Sequence, residues 1–442
     1  MAADPSPAPL RVLGVFDAAM LVVGSVVGAG IFLVGGFVAE SVRSPFGFLG
    51  VWIAGGVFAL SGALCNAELG ALFPRGGGEY VYLRESFGAG LGFLSGWTSF
   101  WIGFPGSIAT LAAGFGRGVA QLFGFPPGAE NVIGLVTVLL LTGVNVFGLR
   151  SGRWTWNILS VAKLAAFAAA LVLGLAFGAG HGAHFRPFFA SESPKGLAIA
   201  LVPIYFAYSG WNAATYVAGE MRDPKRDLGR ALALGTAVCT VLYLLVNTGF
   251  LNALGLDAMR NSQNLAGSAA AATFGSGVGS AVTLLVVLAV LSSLQATIVV
   301  GPRIYHAMAE DGLFPARLAR LSPKTHAPTD ALLVQGVISA ALLLSGKFET
   351  LLNFTTFALC LFSIICVLAV PVLRVTRPDL PRPFKTPGYP LTPALFVIGN
   401  GWVLVNLLTS GAKEAIIGAG IVLTGVPGYL FFRRNLLKSQ LR

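Results

Sequence analysis

Apolar stretches long enough to cross a bilayer follow one another from residue 12 to residue 432, and the loops between them are short. A helical span takes about 20 predominantly apolar residues, so a chain built this way folds with lipid as its solvent. Candidate spans lie at 12–38, 46–71, 88–122, 130–149, 154–178, 197–219, 230–252, 276–302, 330–346, 351–371, 391–409 and 412–432. Composition agrees. Hydrophobic residues make up 55% of the 442 and charged residues 11%, against roughly a quarter charged in ordinary globular domains. The expectation is an all-α polytopic membrane protein of about 12 transmembrane helices, forming one integral-membrane domain over 1–442 with no soluble domain. The span at 88–122 is long enough to predict a tilt or kink, with Pro105 as its cause.

Charge orients the spans. The net charge of +11 in a soluble protein would suggest nucleic acid. Here the basic residues are divided among short segments between apolar runs, and no recognition motif accompanies them. With the N-terminus inside, Arg75, Arg84, Arg150, Arg153, the cluster Arg222 to Arg230, the cluster Arg303 to Lys324, the cluster Arg374 to Lys385 and the basic tail are all cytoplasmic. The other side keeps Arg43, Arg117, Arg186, Lys195, Arg260, Lys347 and Lys413. That imbalance follows the positive-inside rule, so both termini are expected in the cytoplasm. The N-terminal residues lack the basic start and cleavage site of a secretory signal, and the first span is expected to be retained. Cys65, Cys239, Cys360 and Cys366 lie inside apolar runs and read as small buried hydrophobes, so neither a disulfide framework nor a zinc site is implied.

Two spans carry interruptions. The first contains Gly24-Ser25-Val26-Val27-Gly28-Ala29-Gly30-Ile31-Phe32, whose glycines each weaken a helix by about 1 kcal/mol relative to alanine. They are compatible with a small-residue packing face or with an unwound segment facing a cavity, the only surrounding in which irregular backbone survives at that depth. The sixth contains Tyr205-Phe206-Ala207-Tyr208-Ser209-Gly210-Trp211-Asn212, a mixture of aromatic, small and polar groups unlike a lipid-facing surface. Interrupted helices at corresponding positions of two halves point to a transporter site. The N–H groups opening a half-helix attract an anion, and carbonyls freed at the end of the preceding one accept from an ammonium. Such a pair suits the two charged ends of an α-amino acid.

Lys163 lies within the fifth span, where a lysine costs about 2.5 kcal/mol or more to insert. Its ammonium is expected to tie the broken first span to the eighth, which offers Ser292, Ser293, Gln295 and Thr297; snorkelling to the cytoplasmic interface is the alternative. Asp17, Glu68, Glu220 and Arg303 sit near cytoplasmic ends and read as anchors or gate ion pairs. Pro74 to Glu79 has three glycines without the following lysine and hydroxyl of a phosphate loop, and is expected to be a mobile cytoplasmic turn; 372–390 reads as an extended connector. No histidine pair has metal-binding spacing and no nucleophile–base set converges within a span. No catalytic residue, metal or cofactor is therefore assigned.

GSVVGAGIF at 24–32, CNAELGALFPRGGGEYVYLRESFG at 65–88, FAYSGWNAATYVAGEMRDPKRDLGRAL at 206–232 and GPRIYHAMAEDGLFP at 301–315 together resemble the APC superfamily of amino-acid permeases, in the branch similar to L-type amino-acid transporters. The resemblance implies a LeuT-like fold of two inverted five-span repeats, approximately 12–178 and 197–371, with two additional helices over 391–432. Carried over by position, Gly28, Ala29 and Gly30 would offer N–H groups to a substrate carboxylate. Val26, Phe206 and Ser209 would offer carbonyls to its amino group, and Phe206 would resemble an aromatic gate, with Tyr208 and Trp211 shaping the region. Lys163 looks like the fifth-span lysine of this branch, with Ser293 its eighth-span partner in coupling. Ala29 stands where the family often has serine, and Asn66 where tyrosine is commoner. Animal members pair with a glycoprotein through an outside cysteine; none exists here, so no disulfide-linked glycoprotein partner is expected. The resulting expectation is a single-chain carrier of the bacterial inner membrane, moving small or medium neutral amino acids by alternating access as an antiporter or a proton-coupled symporter. An amine or polyamine carrier, a passive channel and a membrane-embedded enzyme are the competing readings.

Overall fold

The computed structural model describes residues 10–147, 149–177, 182–260, 262, 265–345, 348–410 and 412–440. Every expected span falls on helix. The first is divided into α1 (Val15–Val26), α2 (Ala29–Leu33) and α3 (Gly35–Ser41), and the second is α4 (Pro45–Leu72). A short α5 (Glu79–Phe87) precedes the third, which is α6 (Ala89–Thr98) and α7 (Phe104–Phe123). Then come α8 (Ala129–Val146), α9 (Leu149–Phe177), and the sixth span as α10 (Pro194–Tyr208) and α11 (Ala213–Tyr216). The remainder is α12 (Pro224–Arg260), α13 (Leu265–Phe274), α14 (Ser276–Val300), α15 (Pro302–Glu310), α16 (Thr329–Ser345), α17 (Phe348–Thr376), α18 (Leu391–Ser410) and α19 (Ala412–Gln440). Eight of the described helical segments are long and apolar enough to cross a membrane unaided. His181 and Lys347 lie outside the described residues.

Two helices open with the same device. Ser44 precedes Pro45 and accepts the Gly47 N–H at 3.0 Å; Ser193 precedes Pro194 and accepts the Gly196 N–H at 3.3 Å. A serine cap satisfies an orphan N–H and proline at the first helical position has none to lose. Glu192 joins the two starts, accepting from Ser44 Oγ at 2.6 Å and from the Arg43 N–H at 2.9 Å. Arg260 reaches the Ala39 and Val42 carbonyls nearby at 3.0 and 2.9 Å. At the opposite end, Leu13 N–H bonds the Glu220 carbonyl at 3.0 Å and Arg222 N–H the Leu13 carbonyl at 3.0 Å. Loops expected on one side of the membrane thus touch one another, in keeping with the charge pattern.

The third span is irregular where a tilt or kink is expected. Ser99–Gly103 forms a π-helical turn, closed by the Phe104 N–H on the Ser99 carbonyl, and Pro105 follows at once. Slipping the register ahead of the proline accommodates its ring and its missing donor.

Two segments differ from expectation. Pro74 to Glu79 is packed rather than free: Gly77 N–H bonds the Tyr216 carbonyl at 3.2 Å, and Gly78 (φ 53°) lies so close to Tyr216 that a Cβ would be 2.4 Å from its ring. The glycines serve a tight turn under α11. The 372–390 segment is likewise more than a connector. Its Arg382 and the Thr386 N–H converge on the buried Glu68 carboxylate at 3.5 and 2.7 Å, beside Arg374 of α17 at 2.7 Å. A buried carboxylate needs such partners.

In the interior, α1 packs on α12, α9 and α14, and α4 on α12 and α10, while α7, α8, α14 and α16 form a second packed group. Both interrupted spans belong to the first group, and their short segments α2 and α11 reach α14 of the second.

Candidate functional site

The α1 helix stops because Val27 turns extended (φ −77°, ψ 90°) and Gly28 adopts φ −141°, ψ −140° before α2 begins at Ala29. A helix end leaves carbonyls without intrahelical donors, and two side chains from other spans supply them. Lys163, on α9 and 4% exposed, donates from Nζ to the Val23 and Gly24 carbonyls, both at 3.3 Å, and to that of Val27. Ser293 Oγ, on α14, lies 2.6 Å from the Gly24 carbonyl and 3.0 Å from that of Val27. A cation at a helix C-terminus also complements the dipole. Lys163 therefore lies buried against the first span rather than snorkelling. Its link to the eighth span runs through shared acceptors, since no hydrogen bond joins it to Ser293 directly. The other eighth-span candidates are engaged elsewhere: Ser292 with Ser160 at 3.5 Å, Gln295 with Asn145 at 2.9 Å, and Thr297 with the Ser293 carbonyl at 2.8 Å.

The sixth span breaks in the same way. After Tyr208, Ser209 is extended (φ −58°, ψ 147°) and Gly210 takes φ 96°, a left-handed value that favours glycine. Ser209 folds back, its N–H and Oγ donating to the Phe206 carbonyl at 3.0 and 2.7 Å. The two breaks abut: a Cβ on Gly210 would be 2.7 Å from Ser25 Cβ, and one on Gly30 would be 2.6 Å from Ala207 Cα. Tyr243 of α12 spans both, its hydroxyl 2.7 Å from the Val26 carbonyl and 2.8 Å from that of Ala207.

Between the breaks is a cavity of about 70 Å³, room for a few water molecules or one small solute. Val26, Gly28, Gly30, Phe206, Ser209 and Trp211 line it, with Ser107 and Leu111 from α7, Thr297 from α14 and Ser363 from α17. Ser25 also lines it, and its buried hydroxyl has no hydrogen-bond partner. Ala29 opens α2, so its N–H belongs to the first turn. Tyr208 differs from expectation: it turns away, donates to the Trp52 carbonyl at 3.0 Å and lines a separate cleft toward α4 and α18. Lys163 and Ser293 stand behind the cavity wall rather than in it. The carbonyls of Val26 and Phe206 already accept one bond each or more, which leaves a carbonyl's second lone pair for another donor.

Ion pairs gather at the end of the bundle that charge pattern alone assigns to the cytoplasm. Arg303 of α15 meets Glu220 at 3.0 Å, both largely buried. Arg75 meets Asp311 at 2.8 Å and Glu310 at 3.1 Å, and Tyr80 donates to Asp311 at 2.7 Å. Burial pulls on the Arg75 proton, but the two carboxylates outweigh it and raise its pKa above the ordinary value.

The profile of the family described as "Amino acid permease" matches residues 13–432. The chain belongs to that family. Among curated relatives, the permease is 30% identical over 426 residues to the serine/threonine exchanger SteT of Bacillus subtilis, covering 96% of this chain and 97% of that one. It is 32% identical to the large neutral amino acids transporter small subunit 2 of Homo sapiens, covering 94% and 79%, and 30% identical to the b(0,+)-type amino acid transporter 1 of Mus musculus, covering 95% and 87%.

Four residues in or just behind the wall of the permease's cavity lie beyond what its sequence pattern picks out. Ser25 and Asn212 are inside the two interrupted stretches but carry no distinguishing spacing. Tyr243 is one aromatic among many in an apolar span. Glu79 opens what reads as a loop, yet its carboxylate is buried against Asn212 and Ser363 at 2.9 and 2.8 Å. A lone acid beside a glycine triplet was the available signal.

Proposed function

We propose that this permease moves small or medium neutral amino acids across the cytoplasmic membrane by alternating access, as an exchanger or a proton-coupled symporter. The observation that carries the reading is the meeting of two helix breaks around one small cavity lined chiefly by main chain and neutral side chains. The N–H groups opening α2 suit a carboxylate, and the carbonyls of Val26, Phe206 and Ser209 suit an ammonium. Ser25, with an unused hydroxyl, is the natural further ligand of the carboxylate in place of a side chain at Ala29. Phe206 and Trp211 shape the cavity, while Lys163 and Ser293 couple the state of the first span to the fifth and eighth. The printed names of the relatives, a serine/threonine exchanger and a large neutral amino acids transporter among them, support neutral cargo.

The moving halves are the repeats 12–178 and 197–371, with 391–432 outside them. The protein sits in a bacterial inner membrane with both termini cytoplasmic, works without a disulfide-linked glycoprotein partner and without a cofactor, and releases its cargo unmodified, as a carrier and not an enzyme.

A thermal-shift screen of all amino acids and common amines on purified protein tests the cargo, because a ligand of the folded state raises its apparent stability. A shift with small neutral amino acids is expected; a shift with polyamines alone would overturn the assignment. In liposomes, uptake that saturates and is stimulated from the opposite side distinguishes a carrier from a channel.

A further inference from the structure

Glu79 is 4% exposed, and among the described residues no ion pair includes it. Its Oε1 accepts from Asn212 Nδ2 at 2.9 Å and from Ser363 Oγ at 2.8 Å; Asn212 Nδ2 also reaches the Tyr216 hydroxyl at 3.0 Å. Asn212, Ser363 and Tyr216 all line the central cavity, so the carboxyl group stands one side chain behind its wall.

The cations in this region are committed to other acids. On α5 itself, Arg84 pairs with Glu85 and Asp311. On α15, which packs against α5, Arg303 pairs with Glu220, and the His306 ring stands 3.4 Å from Glu310. On α17, Arg374 pairs with Glu68, and α6 carries no charged residue. Arg75, in the preceding turn, pairs with Glu310 and Asp311. The titratable groups that share the field of Glu79 are Tyr82, Tyr205, Tyr216 and Cys366, none of them a cation. Glu79 is thus a buried acid with two neutral donors on one oxygen. Burying an ionised carboxylate without a cation is costly.

We propose that Glu79 is a proton-binding site whose proton is linked to the amino acid held in the adjoining cavity. The inference rests on the transport reading above and deepens it by choosing symport over simple exchange. A proton taken from bulk water onto Oε2 removes the charge and leaves Oε1 accepting from Asn212 and Ser363. It therefore stabilises the arrangement in which those two side chains close on Glu79. An amino acid filling the cavity they wall stabilises the same arrangement. Ligands that favour one state bind with positive coupling, so proton and amino acid are taken up together. Both are released when α11 withdraws and water reaches the carboxyl group.

The test uses the full-length protein. Infrared difference spectra across a pH titration, without ligand, are expected to show a carboxylic-acid C=O band that is lost in Glu79→Gln; no such band overturns the proton site. Calorimetry with L-serine as the probe is expected to show affinity falling about tenfold per pH unit above the midpoint of that band. In Glu79→Gln, which keeps a carbonyl acceptor for both hydrogen bonds, affinity is expected to be independent of pH. A flat wild-type profile, or an unchanged pH profile in the variant, overturns the linkage. If Glu79→Gln does not fold, Glu79→Asp is expected to keep the band with a displaced midpoint, and an undisplaced one overturns the assignment. A band that titrates normally in a protein that binds no amino acid overturns the transport reading while leaving the proton site standing.

Discussion

The ammonium of Lys163 and the hydroxyl of Ser293 reach the same acceptor, the Val27 carbonyl at the broken end of α1. They also share the Gly24 carbonyl. One helix end is thereby held by a charge from the fifth span and a hydroxyl from the eighth. A movement of the first span must break or carry both.

Lys163→Ala is expected to lower transport at least tenfold at normal membrane abundance. It removes the charged donor from three buried carbonyls, of which Gly24 and Val27 keep Ser293 and Val23 keeps the Val27 N–H. Ser293→Ala is expected to do less. Because the two donors share acceptors, the double variant is expected to depart clearly from the sum of the singles. Uptake kinetics in proteoliposomes check this, and wild-type kinetics in Lys163→Ala would refute the role.

Gly28→Ala and Gly30→Ala are expected to destabilise by about 1–3 kcal/mol through overpacking, and to weaken amino-acid binding with it. Their rescue should differ. The added methyl at Gly28 would stand 2.3 Å from Ser293 Oγ, a side chain, whereas that at Gly30 would stand 2.6 Å from the Cα of Ala207. Ser293→Gly is therefore expected to restore melting temperature in the first variant, and Ala207→Gly to fail in the second.

Tyr243→Phe removes the hydroxyl that lies between the Val26 and Ala207 carbonyls. The ring is fully buried and its packing is kept. Stability is expected to fall by about 1–3 kcal/mol, and the two breaks to lose their common tether. The check is a thermal shift with and without ligand: a reduced ligand-induced shift supports the tether, and an unchanged one argues against it.

Glu220→Gln breaks the Arg303 pair, at the end that charge pattern assigns to the cytoplasm. Leaving a buried guanidinium unpaired costs about 3–5 kcal/mol. A cysteine introduced at Ser25 is expected to react faster with an impermeant thiol reagent from the cytoplasmic face in this variant. Unchanged labelling would show that the pair does not bar that route.

Much of the architecture was legible because it is local. Hydropathy located the spans, Pro105 marked the irregular turn of the third, and the glycines of 24–30 and the mixed stretch 205–212 marked the breaks. The misread stretches are those whose local composition has two meanings. Three glycines after Pro74 suit a free turn as well as one wedged under Tyr216, and Tyr208 in an aromatic cluster has two faces on which to point. Burial by a distant segment chooses between such meanings, and local pattern does not contain it.

The order of apolar runs, the excess of arginine and lysine in alternate loops, and the positions where helix must yield were determined by the sequence alone, because each depends on neighbouring residues and on the solvent. What only the tertiary structure decided is which side chains attend those broken ends. Lys163 lies 136 residues from Val27, and Glu79 lies 284 from Ser363. Hydrogen bonds and buried charges are settled by groups that the packing of whole helices brings within about 3 Å, at separations no local pattern encodes.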